Sequence, residues 1–261
     1  MLEARLSRLC ALWTSRFVKK GIRKSTVEQQ RILELFWRDG SNMLNSGIHQ
    51  RRRSIFDVLP IQSGAIIFLG DSLIQTCEWG ELMGHSNIKN RGISGDTIRM
   101  VLERLPQALT SHPSKIILMV GINDLRHKTC ELKNVLQPYK ALLDKIAQDS
   151  PQTEVLVHGV LPIHLDIFQQ QFRKDGTHIN QNVVSFNQEL QKIVQHQTNA
   201  AYIDLGPLLT QNGQIKARYT IDGLHLSGDA YIVWAKHIAP LLTDSSNFLA
   251  DPLPPNNDGH S

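Results

Sequence analysis

From about residue 63 onward, short unbroken apolar runs alternate with longer amphipathic stretches, and no other feature constrains the fold as much. The runs are AIIFL (65–69), KIILMV (115–120), EVLVHGV (154–160) and AAYIDL (200–205), with a weaker one at SNIKN (86–90). They are continuous rather than alternating, the pattern of strands buried on both faces. Between them, DTIRMVLERLPQAL, ELKNVLQPYKALLDKIAQ and NVVSFNQELQKIVQH read as helices, and DAYIVWAKHIAPLL closes the series. In the first, Ile98, Val101, Leu102 and Leu105 share one side. Pro106 and Pro138 mark a start or a kink in the helices that hold them. Strand–helix alternation of this kind predicts an α/β fold, a parallel sheet with helices on both faces.

The flanks read differently. Leu2, Leu6, Leu9, Trp13 and Phe17 form a helical stripe among basic residues, suited to packing on the main domain, on a second chain or on an anionic membrane surface. A second helix is predicted over KSTVEQQRILELFWRDG, opened by the capping box Ser25-x-x-Glu28 and stopped at Gly40. The arginines of HQRRRSIFDVLP read as a solvated helix face. Residues 244–261 are polar and proline-rich and read as a disordered tail. The expected partition is a helical extension over 1–45, the main domain over 46–243, and the tail.

The net charge of +4 is local. Residues 1–24 hold seven basic side chains against Glu3, which leaves the remainder at −2 and argues against nucleic-acid binding by the main domain. Cys10, Cys77 and Cys130 suit a reducing compartment without a disulfide framework. No run approaches the length of a membrane span, and no signal peptide is recognised, so a cytoplasmic location is expected.

In an open parallel sheet, ligands collect at the carboxyl ends of the strands. Those ends carry Gly70-Asp71-Ser72, then Arg91-Gly92-Ile93-Ser94-Gly95-Asp96, then Gly121-Ile122-Asn123-Asp124. Asp222 and His225 follow much later, before the last helix. Together they fit an acyl-transfer site. Serine is a poor nucleophile without a base, and His225, of a residue type with an unperturbed pKa near about 6.5, supplies one. Asp222 can fix the histidine tautomer and stabilise the imidazolium. The Ser72 N–H, the Gly92 N–H and the Asn123 amide are the expected oxyanion donors. Each piece alone is common in turns and caps; the joint order carries the weight. Asp71 reads as a turn residue, Asp124 as a loop brace, Cys77 as helix packing and His164 as a surface or supporting group. Trp79 fits either a pocket wall or the core. His127, His158 and His164 show no metal-ligand spacing.

That order resembles the SGNH or GDSL hydrolases, over about residues 46–243. The blocks are FLGDSL (68–73), NRGISGDT (90–97), GIND (121–124) and DGLHLS (222–227). The phrasing is nearest the branch that resembles platelet-activating-factor acetylhydrolase catalytic subunits and sialate O-acetylesterase-like proteins. The resemblance implies a flavodoxin-like three-layer α/β/α fold with a central five-stranded sheet, a Ser72-His225-Asp222 esterase mechanism, no metal and no cofactor. It makes Ser72 an oxyanion donor as well as the nucleophile. The expected activity is removal of a small acyl group, acetyl through the branch, from an acetylated sugar or lipid or another small ester. The alternatives are a thioesterase, lysophospholipase or acyltransferase on the same site, or a non-catalytic carbohydrate- or lipid-binding module. Residues 161–180 read as a loop or lid beside the site. Self-association or peripheral membrane contact is assigned to the basic N-terminal helix.

Overall fold

The computed structural model describes Gly47 and residues 49–242. The two helices expected before residue 45 and the tail expected after 243 lie outside the described residues, as does the partner surface assigned to the first of them. The elements, in order, are helix α1 over 49–58, β1 (Ile66–Gly70), α2 (Ser72–Gln75), α3 (Trp79–Leu82) and β2 (Ile88–Gly92). There follow α4 (Ile98–Leu109), β3 (Lys115–Met119), α5 (Ile122–Leu125), α6 (Leu132–Asp149) and β4 (Glu154–His158). The last are α7 (Leu165–Phe172), α8 (Thr177–Gln195), β5 (Ala200–Ile203), α9 (Gly206–Leu209), β6 (Thr210–Gln211), β7 (Gln214–Ile215) and α10 (Gly228–Leu242).

Strands β1 to β5 form a five-stranded, wholly parallel sheet in the order β2-β1-β3-β4-β5. The chain leaves β1 toward β2, then returns to place β3 on the other side of β1. That reversal opens a crevice at the carboxyl ends of β1 and β3, where ligands bind in such sheets.

The pleat divides each strand between two cores. Ile67, Leu69, Ile116, Leu118, Val155 and Val157 pack with Val101 and Leu105 of α4, Tyr139 and Leu142 of α6, and Phe186 and Leu190 of α8. Ile66, Phe68, Ile117, Met119 and Leu156 pack with Trp79, Leu209 and the Tyr231–Trp234 turn of α10. Trp79 is a core residue: it is fully buried, stacks on Phe68 at 4.2 Å and donates through Nε1 to the Ile74 carbonyl at 2.9 Å. The edge strands depart from full burial, since β5 is only half-covered and Lys89 and Asn90 of β2 are partly exposed.

Two sequence expectations are corrected and one element is new. The arginines of α1 are not simply solvated: Arg52 lies over the Phe56 ring at 4.9 Å, as does Arg91 at 4.8 Å, and Arg52 donates to the Gly92 carbonyl at 3.4 Å. A small hairpin joins β6 to β7 around Asn212-Gly213, both at positive φ, the dipeptide such two-residue turns favour. Residues 161–180, read as a loop or lid, are not an open loop. They form α7 and the start of α8, with Ile163, Phe168 and Ile179 buried in the core. Asn180 clamps the backbone of Ile163 from both sides, accepting its N–H at 2.8 Å and donating to its carbonyl at 3.0 Å.

Replacing Asn180 with Ala strands both groups of the buried Ile163 peptide, a cost of about 1–3 kcal/mol. Urea unfolding of Asn180→Ala should show a lowered midpoint. An unchanged midpoint would mean that the segment moves free of the core.

Candidate active site

The first strand ends where it does because backbone crowds it. A Cβ on Gly70 would overlap the carbonyl oxygen of Met119 on β3, so only glycine fits. Asp71 then caps α2, its Oδ1 accepting the Leu73 N–H at 3.0 Å, and Ser72 becomes the first helical residue at the sheet edge. The short helix is held by its surroundings. Tyr231 Oη donates to the Leu73 carbonyl at 2.8 Å, and Asn90 Nδ2 reaches the carbonyls of Ile74, Gln75 and Cys77 at 2.8–3.0 Å.

Ser72, His225 and Asp222 come together across the whole domain. Ser72 Oγ lies 3.1 Å from His225 Nε2, and His225 Nδ1 lies 2.6 Å from Asp222 Oδ2. The 222–225 segment is a tight loop rather than a helical turn. Asp222 Oδ1 accepts the N–H groups of Leu224 at 2.9 Å and His225 at 2.7 Å, and Gly223 takes φ +89°. Gly223 also packs on the backbone of Phe168 in α7, so no side chain fits there. Burial pushes the Asp222 pKa up, but hydrogen bonds from the His225 ring and from the two backbone groups outweigh it, and the net shift is downward. Asp222 is therefore a carboxylate at neutral pH. It must accept from Nδ1, which leaves the Nε2 lone pair facing Ser72 Oγ.

Two of the three expected oxyanion donors have hydrogen available. No acceptor takes the Ser72 N–H among the described residues, and Asn123 Nδ2 spends one hydrogen on the Asp96 carbonyl at 3.0 Å and keeps the other. Gly92 does not fit the expectation. Its N–H donates to Asn90 Oδ1 at 2.9 Å, and a Cβ there would overlap the Gln75 backbone. It is glycine so that β2 can pack against α2, not so that substrate can approach. The loop glycine that sequence reasoning passed over is Gly95. It takes φ +85°, and its N–H has no acceptor among the described residues. The second glycine of GISGD, preceding a cap and a helix, was the available signal.

The remaining acids serve structure. Asp124 Oδ2 accepts the Ile98 N–H at 3.1 Å, a loop brace as expected, and burial raises its pKa to about 6. Asp71 is buried with Oδ2 unpartnered; desolvation first, then the nearby Asp96 and Asp124, outweigh its Leu73 hydrogen bond and lift its pKa to about 7. Cys77 is buried and its thiol is pushed up to about 12, so it is no rival nucleophile. His158 is fully buried against Trp234, and burial lowers its pKa to about 3. His164 donates its backbone N–H to the Gly223 carbonyl at 2.8 Å and so supports the 222–225 loop. Among the described residues no group of three His, Cys, Asp or Glu side chains is arranged to hold a metal ion.

Residues 68–232 match the model of the GDSL-like lipase/acylhydrolase family, and the chain belongs to that family of hydrolases. It is 27% identical over 184 residues to subunit alpha2 of rat platelet-activating factor acetylhydrolase IB, covering 68% of this chain and 75% of the relative. It is 30% identical over 202 residues to the bovine alpha1 subunit, covering 72% and 81%. A solved structure from Streptococcus pneumoniae, described by reference to platelet activating factor, superposes with a TM-score of 0.68 at 28% identity, covering 84% of this chain and all of that one. No described helix is long and apolar enough to cross a membrane.

Asp71 supplies a pH test. Its folded pKa of about 7 stands above the ordinary value of 3.8, so the folded state holds a proton that the unfolded state releases. Stability on this account is greatest below the unfolded value and falls as pH rises through about 7. Asp71→Asn keeps the cap and removes the charge. It should gain stability over wild type at pH ~8 by on the order of a few kcal/mol, with little gain at pH ~4. A gain of equal size at both pH values, read by urea unfolding, would exclude the titration.

Proposed function

We propose that this protein is a serine esterase that removes a small acyl group, acetyl in the first instance, through an acyl-enzyme intermediate. The observation that carries the reading is the unbroken hydrogen-bonded chain from Asp222 through His225 to Ser72, at 2.6 Å and 3.1 Å. Acetyl is favoured because the curated relatives at 27–30% identity carry the name acetylhydrolase.

In this reading His225 Nε2 takes the Ser72 proton as Oγ attacks the ester carbonyl. Asp222 steadies the imidazolium that forms. The negative charge on the carbonyl oxygen meets the N–H groups of Ser72 and Gly95 and the free hydrogen of the Asn123 amide. Collapse of the tetrahedral species breaks the bond to the alcohol, which leaves with the proton from Nε2. Water then enters, gives its proton to Nε2 and attacks the acyl-Ser72 carbonyl. The acid departs and Ser72 regains its proton. In this reading the donors are fixed by the backbone and by the Asn123–Asp96 bond, which keeps reorganisation in the step small.

The test is hydrolysis of p-nitrophenyl acetate, butyrate and octanoate at neutral pH. Ser72→Ala should lower kcat by about 10³-fold or more, and rate should fall with chain length if the pocket takes a small acyl group. Turnover that survives in Ser72→Ala would remove the nucleophile assignment. Activity should also decline on acidification, as His225 is protonated, and a profile flat down to about pH 4 would contradict a histidine base. For the oxyanion donors, Gly95→Ala should cut kcat by about 10-fold or more with KM little changed. Equal effects on folding and on rate would assign Gly95 to the loop alone.

A further inference from the structure

Arg126 lies beside Asn123, one of the proposed oxyanion donors, and meets no counter-charge among the described residues. Its guanidinium Nη1 approaches Asn123 Oδ1 at 3.4 Å, and no carboxylate pairs with it among the described residues. Its backbone is pinned. The Arg126 carbonyl lies 3.1 Å from His178 Nε2, and Asn182 Nδ2 donates to the Leu125 carbonyl at 2.8 Å, both from α8. The side chain is exposed enough to be reached, yet its surroundings desolvate the guanidinium and lower its pKa.

Beside it is a hollow of about 150 Å³ lined by Arg126, His127, Phe168, Lys174, Asp175 and Ile179. Both of its walls lead back to the catalytic residues. Arg126 reaches Asn123, and Phe168 is the residue whose backbone packs on Gly223 inside the 222–225 loop. The acid in the lining is already occupied. Asp175 Oδ1 accepts from the Thr177 N–H at 3.0 Å and hydroxyl at 2.7 Å, while Oδ2 faces Lys128 Nζ at 3.8 Å. Lys174, like Arg126, has no carboxylate partner among the described residues. A larger hollow of about 370 Å³ between α6 and α8 has no such surplus: its Lys140 pairs with Asp144 at 2.6 Å and its Lys192 with Glu189 at 2.7 Å.

We propose that Arg126 and Lys174 form an anion-binding subsite that selects esters of alcohols carrying a compact oxyanion such as a carboxylate. The proposal rests on the esterase reading above for the position of the scissile bond. A small acyl group such as acetyl has no room for a charge, so the anion belongs to the alcohol half. A guanidinium fork matches an oxyanion in two parallel hydrogen bonds, and a lysine beside it adds a mobile point charge. The hollow is large enough for such a group and too small for a long lipid chain.

The experiment compares acetate release from two matched pairs: 3-acetoxybenzoate with 3-acetoxybenzamide, and 4-acetoxybutyrate with 4-acetoxybutyramide. Wild type should favour the anionic member of at least one pair, and Arg126→Gln should lower that kcat/KM ratio at least about tenfold. Arg126→Lys should restore part of it, and added salt should shrink it. A wild-type ratio near unity in both pairs, or a ratio that Arg126→Gln leaves unchanged, would overturn the subsite while leaving the esterase reading intact. If none of the four esters is cleaved, p-nitrophenyl acetate hydrolysis decides the esterase reading separately, and binding decides the subsite. Calorimetric titration of the Ser72→Ala protein with 3-acetoxybenzoate and its amide should then show a preference for the anion that Arg126→Gln abolishes. Equal binding of the two would end the proposal.

Discussion

The carboxyl edge of the sheet depends on one buried side chain, Arg104. It rises from α4 with almost no exposure, donates Nη2 to the Gly70 carbonyl at 2.9 Å and Nε to Asp96 Oδ2 at 2.7 Å. The first bond holds the last residue before the Asp71-Ser72 turn. The second holds the loop that contains Gly95. His49 of α1 lies 3.0 Å from the other Asp96 oxygen, and the Asp96 carbonyl receives the Asn123 amide at 3.0 Å. One ion pair thus ties the ends of β1, β2 and β3 into a single frame. Removing either partner would leave an uncompensated buried charge, which is far more costly than losing a surface pair.

The acids around that frame divide by their partners. Asp71 and Asp96 are buried and Asp124 partly so, desolvation raises all three pKa values, and among the described residues only Asp96 of the three forms an ion pair. Asp222 is shifted the other way, because three hydrogen bonds converge on it. The site therefore keeps one firm carboxylate next to His225, while the acid adjoining Ser72 is readily neutralised. A negative charge at Asp71 would oppose the oxyanion that the proposed reaction develops nearby, and its raised pKa lessens that opposition.

The parts of the fold that periodicity governs were legible. Unbroken apolar runs marked the strands, and 3.6-residue spacing marked α4, α6 and α8. Ser72, His225, Asp222 and Asn123 were readable because each stands in a dense local pattern at a strand end or before a helix. Gly92 and Gly95 were confused because the sequence NRGISGD does not say which glycine serves packing and which takes a positive φ. That depends on where the backbone of α2 lies against β2. The helices within 161–180 were hidden in a stretch read as a loop or lid, because its polar surface masks three core contacts, Ile163, Phe168 and Ile179. The Asn212-Gly213 hairpin carried its own signal, one overlooked beside the stronger helix and strand patterns.

What the sequence by itself determined is local: which segments bury both faces, which bury one, and which short stretches carry a hydroxyl, an imidazole, a carboxylate or a free amide. These follow from side-chain chemistry and from the period of each regular element. Only the tertiary structure decided the rest. It brought Ser72 within 3.1 Å of a histidine 153 residues away, committed the Gly92 N–H, and set Arg126 beside Asn123 with no carboxylate partner among the described residues. Such facts depend on distances across the sheet and on which polar groups find partners, and no pattern along a chain encodes either of them directly.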